Sequence, residues 1–127
     1  MTLQMIDAAG VSEALAAELR YDSSDPYAVA VVFTFRQTRE RWVFARDLLT
    51  DGLFQPTGHG DVQVWPCLDH EGRAVTILEL CSPDGAAMLQ VRSDELSEFC
   101  RRTEELVASG TETGHLDVAA AVAELLA

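Results

Sequence analysis

The chain has 127 residues, of which 48% are hydrophobic, and its 21 acidic residues against nine arginines and no lysine leave a net charge of −12. This length and composition predict a single folded domain over residues 1–127 and exclude a largely disordered chain. The negative charge argues against nucleic-acid binding, which normally depends on a basic surface.

The sequence also bears on the compartment of the protein. Its longest apolar run, residues 27–33, is far shorter than the ~20 residues that a membrane-spanning helix needs. The N-terminus has no basic region followed by a long apolar core, so we predict no secretory signal. The three cysteines, Cys67, Cys81 and Cys100, do not form a disulfide framework and suggest a reducing compartment. We therefore expect a cytoplasmic protein without membrane insertion.

The first half of the chain predicts strands in hairpins followed by a short helix. Residues 1–20 fit either a strand or a short helix, and the family resemblance described below favours a strand. A polar turn follows at 20–26. Residues 27–36 alternate large and small side chains, which predicts a strand packed on both faces, and 41–45 return as its partner. The stretch 46–52 predicts a short helix closed by its final glycine.

The second half predicts further strands and then helices. Strands are expected at 60–66, 73–81 and 86–92, with a β-turn at 82–85 in which proline, aspartate and glycine occupy favourable positions. The stretch 93–107 predicts a helix. This order of elements, mostly antiparallel strands with a short inserted helix and C-terminal helices, indicates the α+β class.

The helix at 93–107 has recognisable ends and one apolar face. Ser93 is a candidate N-cap, and Asp94 and Glu95 suit the positive end of the helix dipole. Its predicted buried stripe consists of Leu96, Phe99, Cys100, Thr103, Leu106 and Val107. We expect a linker at 108–114 and then a last helix capped by Asp117.

The stretch PTGHGDVQVWP, residues 56–66, brings together histidine, aspartate and glycine. It lacks the Gly-Lys-Ser/Thr ending of a phosphate-binding Walker loop. A dinucleotide-binding loop follows a strand and opens a helix, whereas this stretch follows a helix and opens a strand. We therefore predict a turn in which Gly58 and Gly60 both supply positive φ.

Cys67, Asp69 and His70 have a Cys-x-x-His spacing, with His59 and Asp61 nearby, and zinc sites use such ligands. A structural zinc site usually shows a second matching pair of ligands, and the sequence has none. The other two cysteines fall on apolar segments, where they are expected to be small buried side chains rather than nucleophiles, which need a histidine partner. We expect no metal, no cofactor and no catalytic residues.

The only basic stretch is 36–46, where Arg36, Arg39, Arg41 and Arg46 outnumber a single glutamate. We predict that these arginines lie at the tip of the first hairpin and form a candidate partner-binding patch. The alternative, a solvated hairpin tip without a partner, stays open from the sequence.

Four segments together carry a family resemblance: LRYDSSDPYAV at 19–29, WVFARDLLTDGL at 42–53, PTGHGDVQVWP at 56–66 and SPDG at 82–85. In order and spacing they resemble the SsgA-like proteins of sporulating actinomycetes, which are small regulators of cell division. The resemblance covers the chain from about Leu19 to Val107. The combination is specific, whereas no single segment is.

The resemblance implies a twisted, barrel-like β-sheet similar to that of Whirly-type single-stranded nucleic-acid-binding proteins, assembled as a homotrimer. It implies no enzymatic activity and a function exercised through protein contacts. One subfamily brings the tubulin-like protein FtsZ to future septa, and others are implicated in septal peptidoglycan synthesis and remodelling. The matching residues look architectural and include Arg20, Tyr21, Asp22, Pro26, Trp42, Arg46, Gly58, Gly60, Asp61 and Trp65.

These observations lead us to expect a non-enzymatic adaptor that helps localise or control the septum machinery during sporulation. The alternative is a single-stranded nucleic-acid-binding module of Whirly-like fold, which the net charge disfavours. A hydrolase or metalloprotein would rest only on His59, Asp61, Cys67 and His70.

Overall fold

Eight strands and two helices make up the fold in the computed structural model, which describes residues 2–6, 12–35, 37–83 and 85–116. No helix in these ranges is long and apolar enough to cross a membrane. In chain order the elements are β1 Thr2–Ile6, β2 Ser12–Arg20, β3 Ala28–Phe35, β4 Thr38–Ala45, α1 Arg46–Gly52, β5 Thr57–His59, β6 Val62–Leu68, β7 Ala74–Ser82, β8 Gly85–Arg92, α2 Ser93–Leu106 and a 3-10 turn, Glu112–His115.

All eight strands belong to one curled antiparallel sheet, a half-barrel with the strand order β4-β3-β2-β1-β8-β7-β6-β5. Two runs of consecutive hairpins, β1–β4 and β5–β8, are joined because β1 pairs with β8, with Met5 opposite Leu89. The edge strands β4 and β5 flank α1 in the chain, and α1 packs against both of them. The predicted α+β fold is confirmed, and so is the strand that we favoured at the N-terminus.

The strand β3 is packed on both faces, as its sequence predicts. Val29, Val31 and Phe33 belong to the hydrophobic core that also includes side chains of both helices. Ala30 and Val32, on the opposite face, are buried as well. A strand that excludes water on both sides carries apolar residues at consecutive positions instead of alternating with polar ones.

The end of α1 differs from the prediction. Gly52 does not close the helix through a left-handed conformation, since its φ is not positive. It lies instead against β6, where an added Cβ would be 2.3 Å from Val64 Cγ1 and 2.6 Å from Val64 Cβ. Leu53 is the C-cap residue, and its N–H donates to the Leu49 carbonyl at 3.2 Å. The glycine is therefore required by close packing.

The stretch 56–66 forms a hairpin. Strands β5 and β6 pair so that Gly60 and Asp61 are the two residues of the turn. Gly60 has a φ of 63°, which suits the first position of a type II′ turn. The prediction of a second positive-φ glycine is wrong, because Gly58 lies in β5 opposite Gln63 with extended pairing.

The helix α2 begins one residue earlier than expected. Its N-cap is Arg92, with extended backbone and no side-chain cap, because β8 runs directly into the helix. Ser93 is therefore not the cap but the first helical residue, and its hydroxyl lies 2.9 Å from that of Thr76 on β7.

The predicted buried stripe of α2 is largely confirmed. Leu96, Cys100, Thr103 and Val107 are buried and Phe99 is half-buried, but Leu106 is 58% exposed. The helix ends at Leu106, and the backbone of Val107 turns extended with φ of −143°, which carries Val107 into the core and leaves Leu106 outside. The last predicted helix, capped by Asp117, lies outside the described residues.

Replacing Gly52 with alanine should destabilise the protein by about 1–3 kcal/mol, because the new Cβ does not fit beside Val64. The clash with Val64 outweighs the roughly 1 kcal/mol by which alanine stabilises a helix relative to glycine. Urea unfolding followed by circular dichroism measures the change. Gly114→Ala is the matched control, since a Cβ at Gly114 meets no atom within 4 Å. Equal effects of the two substitutions would contradict the packing role of Gly52.

Candidate functional site

Arg46, the first residue of α1, is only 2% exposed. Its guanidinium donates through Nη1 to the carbonyl oxygens of Thr103 at 3.2 Å and Val107 at 2.7 Å, and through Nη2 to Glu112 Oε1 at 2.7 Å. Its backbone N–H donates to the Tyr27 carbonyl at 2.7 Å. One cation therefore binds two carbonyl groups at the C-terminal end of α2. The Thr103 carbonyl also accepts from the Val107 N–H at 2.9 Å, and Val107 follows the last helical residue.

Glu112 is the acidic partner of Arg46 and is itself buried, although it lies in the stretch predicted to be a linker. Its Oε2 accepts from the Gly110 N–H at 2.8 Å. Its own backbone N–H and the Arg46 guanidinium, which hydrogen-bond the carboxylate, lower the pKa of Glu112 from its ordinary value of 4.5. The segment after α2 is thus a structured turn anchored to α1, which corrects the linker prediction.

Tyr21 and Tyr27 lie next to this ion pair. The Cζ atom of Arg46 lies 5.2 Å from the centroid of the Tyr21 ring, within range of a cation–π interaction. The Tyr21 hydroxyl donates to the Pro26 carbonyl at 2.9 Å, and burial raises the pKa of Tyr21. The Tyr27 hydroxyl lies 2.8 Å from Thr113 Oγ1. The loop before β3 therefore contacts both Arg46 and the 3-10 turn.

The predicted arginine patch is dispersed by the fold. Arg36 lies outside the described residues. Arg39 and Arg41 are exposed, but they lie on the edge strand β4 and not at the hairpin tip, because pairing begins at Thr38. Arg46 is removed from the surface by the contacts described above. Partner binding by Arg39 and Arg41 stays a prediction.

The residues considered for zinc are spread along two hairpins. His59 ends β5, Cys67 lies near the end of β6, and His70 lies in the turn that follows. Across the described ranges there is no group of three or more His, Cys, Asp or Glu side chains that could hold a metal ion. The backbone of Asp61 has a structural role, since its carbonyl accepts from the Cys81 N–H at 2.9 Å.

The environments of two cysteines disfavour nucleophilic chemistry. Burial raises the pKa of Cys100 to about 11. Desolvation and the neighbouring Glu79 also raise the pKa of Cys81, which is half-buried. A thiol with a raised pKa carries little thiolate at neutral pH, and the thiolate is the reactive form.

A groove of about 620 Å³ adjoins the Arg46 site. It runs between α2 and the part of the sheet formed by β2, β3 and β4, and Tyr21 and Thr103, both in contact with Arg46, contribute to its wall. Its volume is in the range of ligand-binding clefts, roughly 300–1,000 Å³. A second groove, of about 630 Å³, is lined largely by apolar side chains of β1, β3, β4, β7 and β8.

Comparison with known proteins identifies the family. The family model described as "Streptomyces sporulation and cell division protein, SsgA" matches residues 15–112. The chain belongs to the SsgA family. The matching range extends from β2 to Glu112, so it includes both members of the buried ion pair.

The relatives of this SsgA-family chain are sporulation-specific cell division proteins. SsgB of Streptomyces coelicolor is 43% identical over 126 residues, which cover 98% of this chain and 91% of that protein. SsgB of Kineococcus radiotolerans is 43% identical over 127 residues, 99% of this chain and 77% of that protein. SsgB of Salinispora tropica is 49% identical over 114 residues, 87% of this chain and 79% of that protein.

Solved structures share the fold. An SsgB structure, reported as "Mutations in SsgB correlate to longitudinal cell division during sporulation of Streptomyces coelicolor", superposes with a TM-score of 0.84 at 44% identity and covers 91% of each chain. An SsgA-like sporulation-specific cell division protein from Thermobifida fusca gives a TM-score of 0.84 at 39% identity, covering 97% of this chain and 90% of that one. The family resemblance inferred from the four sequence segments is confirmed.

Replacing Arg46 with methionine should destabilise the protein by about 3 kcal/mol or more, because the Thr103 and Val107 carbonyls lose a buried donor and the Glu112 carboxylate loses its cation. Chemical unfolding measures the loss. Arg92→Met is the matched control, since Arg92 and its ion-pair partner Asp94 are both exposed, and surface pairs of this kind contribute about 0–1 kcal/mol. A loss for Arg46→Met as small as the control's would contradict the anchoring role.

The contribution of Glu112 should depend on pH. Because the folded state lowers the pKa of Glu112, its stabilising effect is present above the unfolded pKa of 4.5 and is lost as pH falls through the lower folded pKa. The difference in unfolding free energy between the wild type and Glu112→Gln should therefore be constant near neutral pH and shrink below pH 4.5. Unfolding curves from pH 7 to pH 3 measure it. A difference that stays constant over this range would show that Glu112 is not held ionised by its partners.

Proposed function

We propose that this SsgA-family protein is a non-enzymatic regulator of sporulation-specific cell division that acts by binding other division proteins. The observation that carries the proposal is the 43% identity to SsgB of Streptomyces coelicolor over 98% of the chain. The described site supports binding over catalysis, because its one buried cation is engaged in holding the fold together and two of the cysteines have raised thiol pKa values.

Within this function we propose the role of an adaptor at the septum. The adaptor either brings FtsZ to the division site or controls the synthesis or remodelling of septal peptidoglycan. Both roles need a protein-binding surface on a stable scaffold and neither needs a reaction centre. They differ in which component is misplaced when the protein is missing, and this difference makes them separable by experiment.

We also propose that the protein assembles as a homotrimer. Large apolar side chains are exposed in the single chain, notably Phe54 at 82% and Leu68 at 65%, and exposed apolar surface of this kind is often covered by a partner. Multi-angle light scattering should give three times the chain mass of 13.9 kDa. A monomer mass at all concentrations would contradict the trimer and leave the regulatory role intact.

Nucleic-acid binding is the weaker alternative. The chain carries a net charge of −12, and the burial of Arg46 removes one arginine from its only basic stretch. Single-strand binding at low ionic strength that falls steeply with added salt would favour this alternative over the adaptor. Lack of binding at low salt would eliminate it.

Deleting the gene in the source organism should reduce sporulation septa, and the wild-type gene should restore them. Fluorescently labelled FtsZ and a fluorescent cell-wall precursor then separate the two adaptor roles. Dispersed FtsZ indicates recruitment, whereas normal FtsZ rings with abnormal wall labelling indicate control of peptidoglycan. Normal septation in the deletion strain would contradict the proposed function.

A further inference from the structure

The groove between α2 and strands β2–β4 gathers positive charge in a strongly acidic protein. Three of its lining residues are arginines, Arg20 on β2, Arg41 on β4 and Arg102 on α2. Two carboxylates, Asp22 and Asp25, line the same groove from the loop after β2. The lining thus has three cations and two anions, although the chain as a whole has a net charge of −12. Arg20 is paired with Glu18 at 2.9 Å, so Arg41 and Arg102 are the cations that matter for a ligand.

One of these arginines is without a carboxylate partner. Of the eight arginines that the structure describes, six form ion pairs, and the two that do not are Arg39 and Arg41. Arg41 alone of these two lines the groove. Arg102 is paired only through Nε, at 3.4 Å from Glu98 Oε1, and its side chain is 71% exposed. In a chain with 21 acidic residues, these two cations remain available for an external carboxylate.

The groove also has apolar side chains that the fold leaves uncovered. Val43 on β4 is 50% exposed and Leu106 on α2 is 58% exposed, and both line the groove. Neighbouring apolar surface of this kind, beside charged residues, is typical of an interaction site. A binding partner would therefore gain from apolar contacts and from ion pairs in the same place.

We propose that this groove binds an acidic segment of a partner protein that also carries apolar side chains. Carboxylates of the segment pair with Arg41 and Arg102, and its apolar side chains pack on Val43 and Leu106. The inference rests on the proposed protein-binding function. It specifies which surface binds the partner and which chemical groups the partner presents. A nucleic acid fits less well, because its phosphates would pair with the arginines but leave the two apolar side chains uncovered.

Peptide arrays test the chemistry of the partner directly. The probes are synthetic twelve-residue peptides in which aspartate or glutamate alternates with leucine, valine or phenylalanine, and a matched set has lysine in place of every acid. We expect the acidic set to bind the full chain and the lysine set not to bind. Fluorescence anisotropy should show that binding weakens between about 50 mM and about 300 mM salt. Binding of neither set, or preference for the lysine set, would overturn the proposal.

Substitutions locate the binding surface. The double change Arg41→Glu and Arg102→Glu should weaken binding of the best acidic peptide about tenfold or more, because it replaces attraction by repulsion. Leu106→Ser tests the apolar contribution and should also weaken binding. Arg92→Glu is the matched control, since Arg92 is an exposed arginine outside the groove, and it should leave affinity unchanged. Thermal unfolding checks that each variant is folded, and equal losses in the double variant and the control would overturn the assignment of the surface.

Other occupants of the groove give different results. If residues 117–127 of this chain fill it, acidic peptides bind only after that segment is removed. If a second copy fills it, the double variant changes the mass in light scattering and the peptides do not bind. Either result overturns the proposal of a separate partner.

The double variant also separates this inference from the proposed function. Expressed in the deletion strain, it should fail to restore septa while Arg92→Glu restores them. Full restoration by the double variant would overturn the groove assignment and leave the regulatory function standing. Normal septation in the deletion strain would instead contradict the proposed regulatory function.

Discussion

The guanidinium of Arg46 holds together three segments that are distant in the chain. It lies at the start of α1 and donates hydrogen bonds to the end of α2 and to the first residue of the 3-10 turn. Removing a cation from water is costly, and that cost is offset here by two carbonyl acceptors, an ionised carboxylate and the face of an aromatic ring. The two charges are therefore interdependent, because the loss of either one leaves the other buried without its counter-ion.

This arrangement determines how the two helices sit on the sheet. The helix α1 bridges the two edge strands of the half-barrel, and its closest approach to β6 depends on the missing side chain of Gly52. The end of α2 is attached to the start of α1 through Arg46. Tyr21 and Thr103, which contact Arg46, also line the groove beside α2. The ion pair thus positions one wall of the proposed binding groove relative to the other.

The distribution of charge connects this scaffold to the proposed function. Most of the arginines that the structure describes are paired within the chain, so this part of the strongly acidic protein has few cations available to a partner. Those that remain near the groove, Arg41 and the terminal nitrogens of Arg102, lie beside exposed apolar side chains. A regulator that works by protein contact needs such a surface on a stable scaffold, and the sporulation-specific cell division proteins related to this chain share that scaffold.

Local patterns were sufficient to predict most of the elements. Alternation identified β3, turn chemistry identified the β7–β8 hairpin, and the spacing of apolar residues identified α2, because each of these signals acts between residues close in sequence. Four short segments also identified the family, since their combination and spacing are specific. None of these signals depends on which distant residues come together.

Only the tertiary structure decided the role of Arg46 and the extent of the arginine patch. Arg46 lies in a basic stretch and Glu112, 66 positions further along the chain, lies in a short polar one, and the sequence between them contains no pattern that indicates contact. Two further features likewise depend on neighbours that are distant in sequence. They are the close packing of Gly52 against Val64 and the exposure of Leu106 at the end of α2. The sequence by itself determined the elements and the family, because those are local properties. Which charges are buried and which stay exposed was decided by the packing of the sheet against its helices.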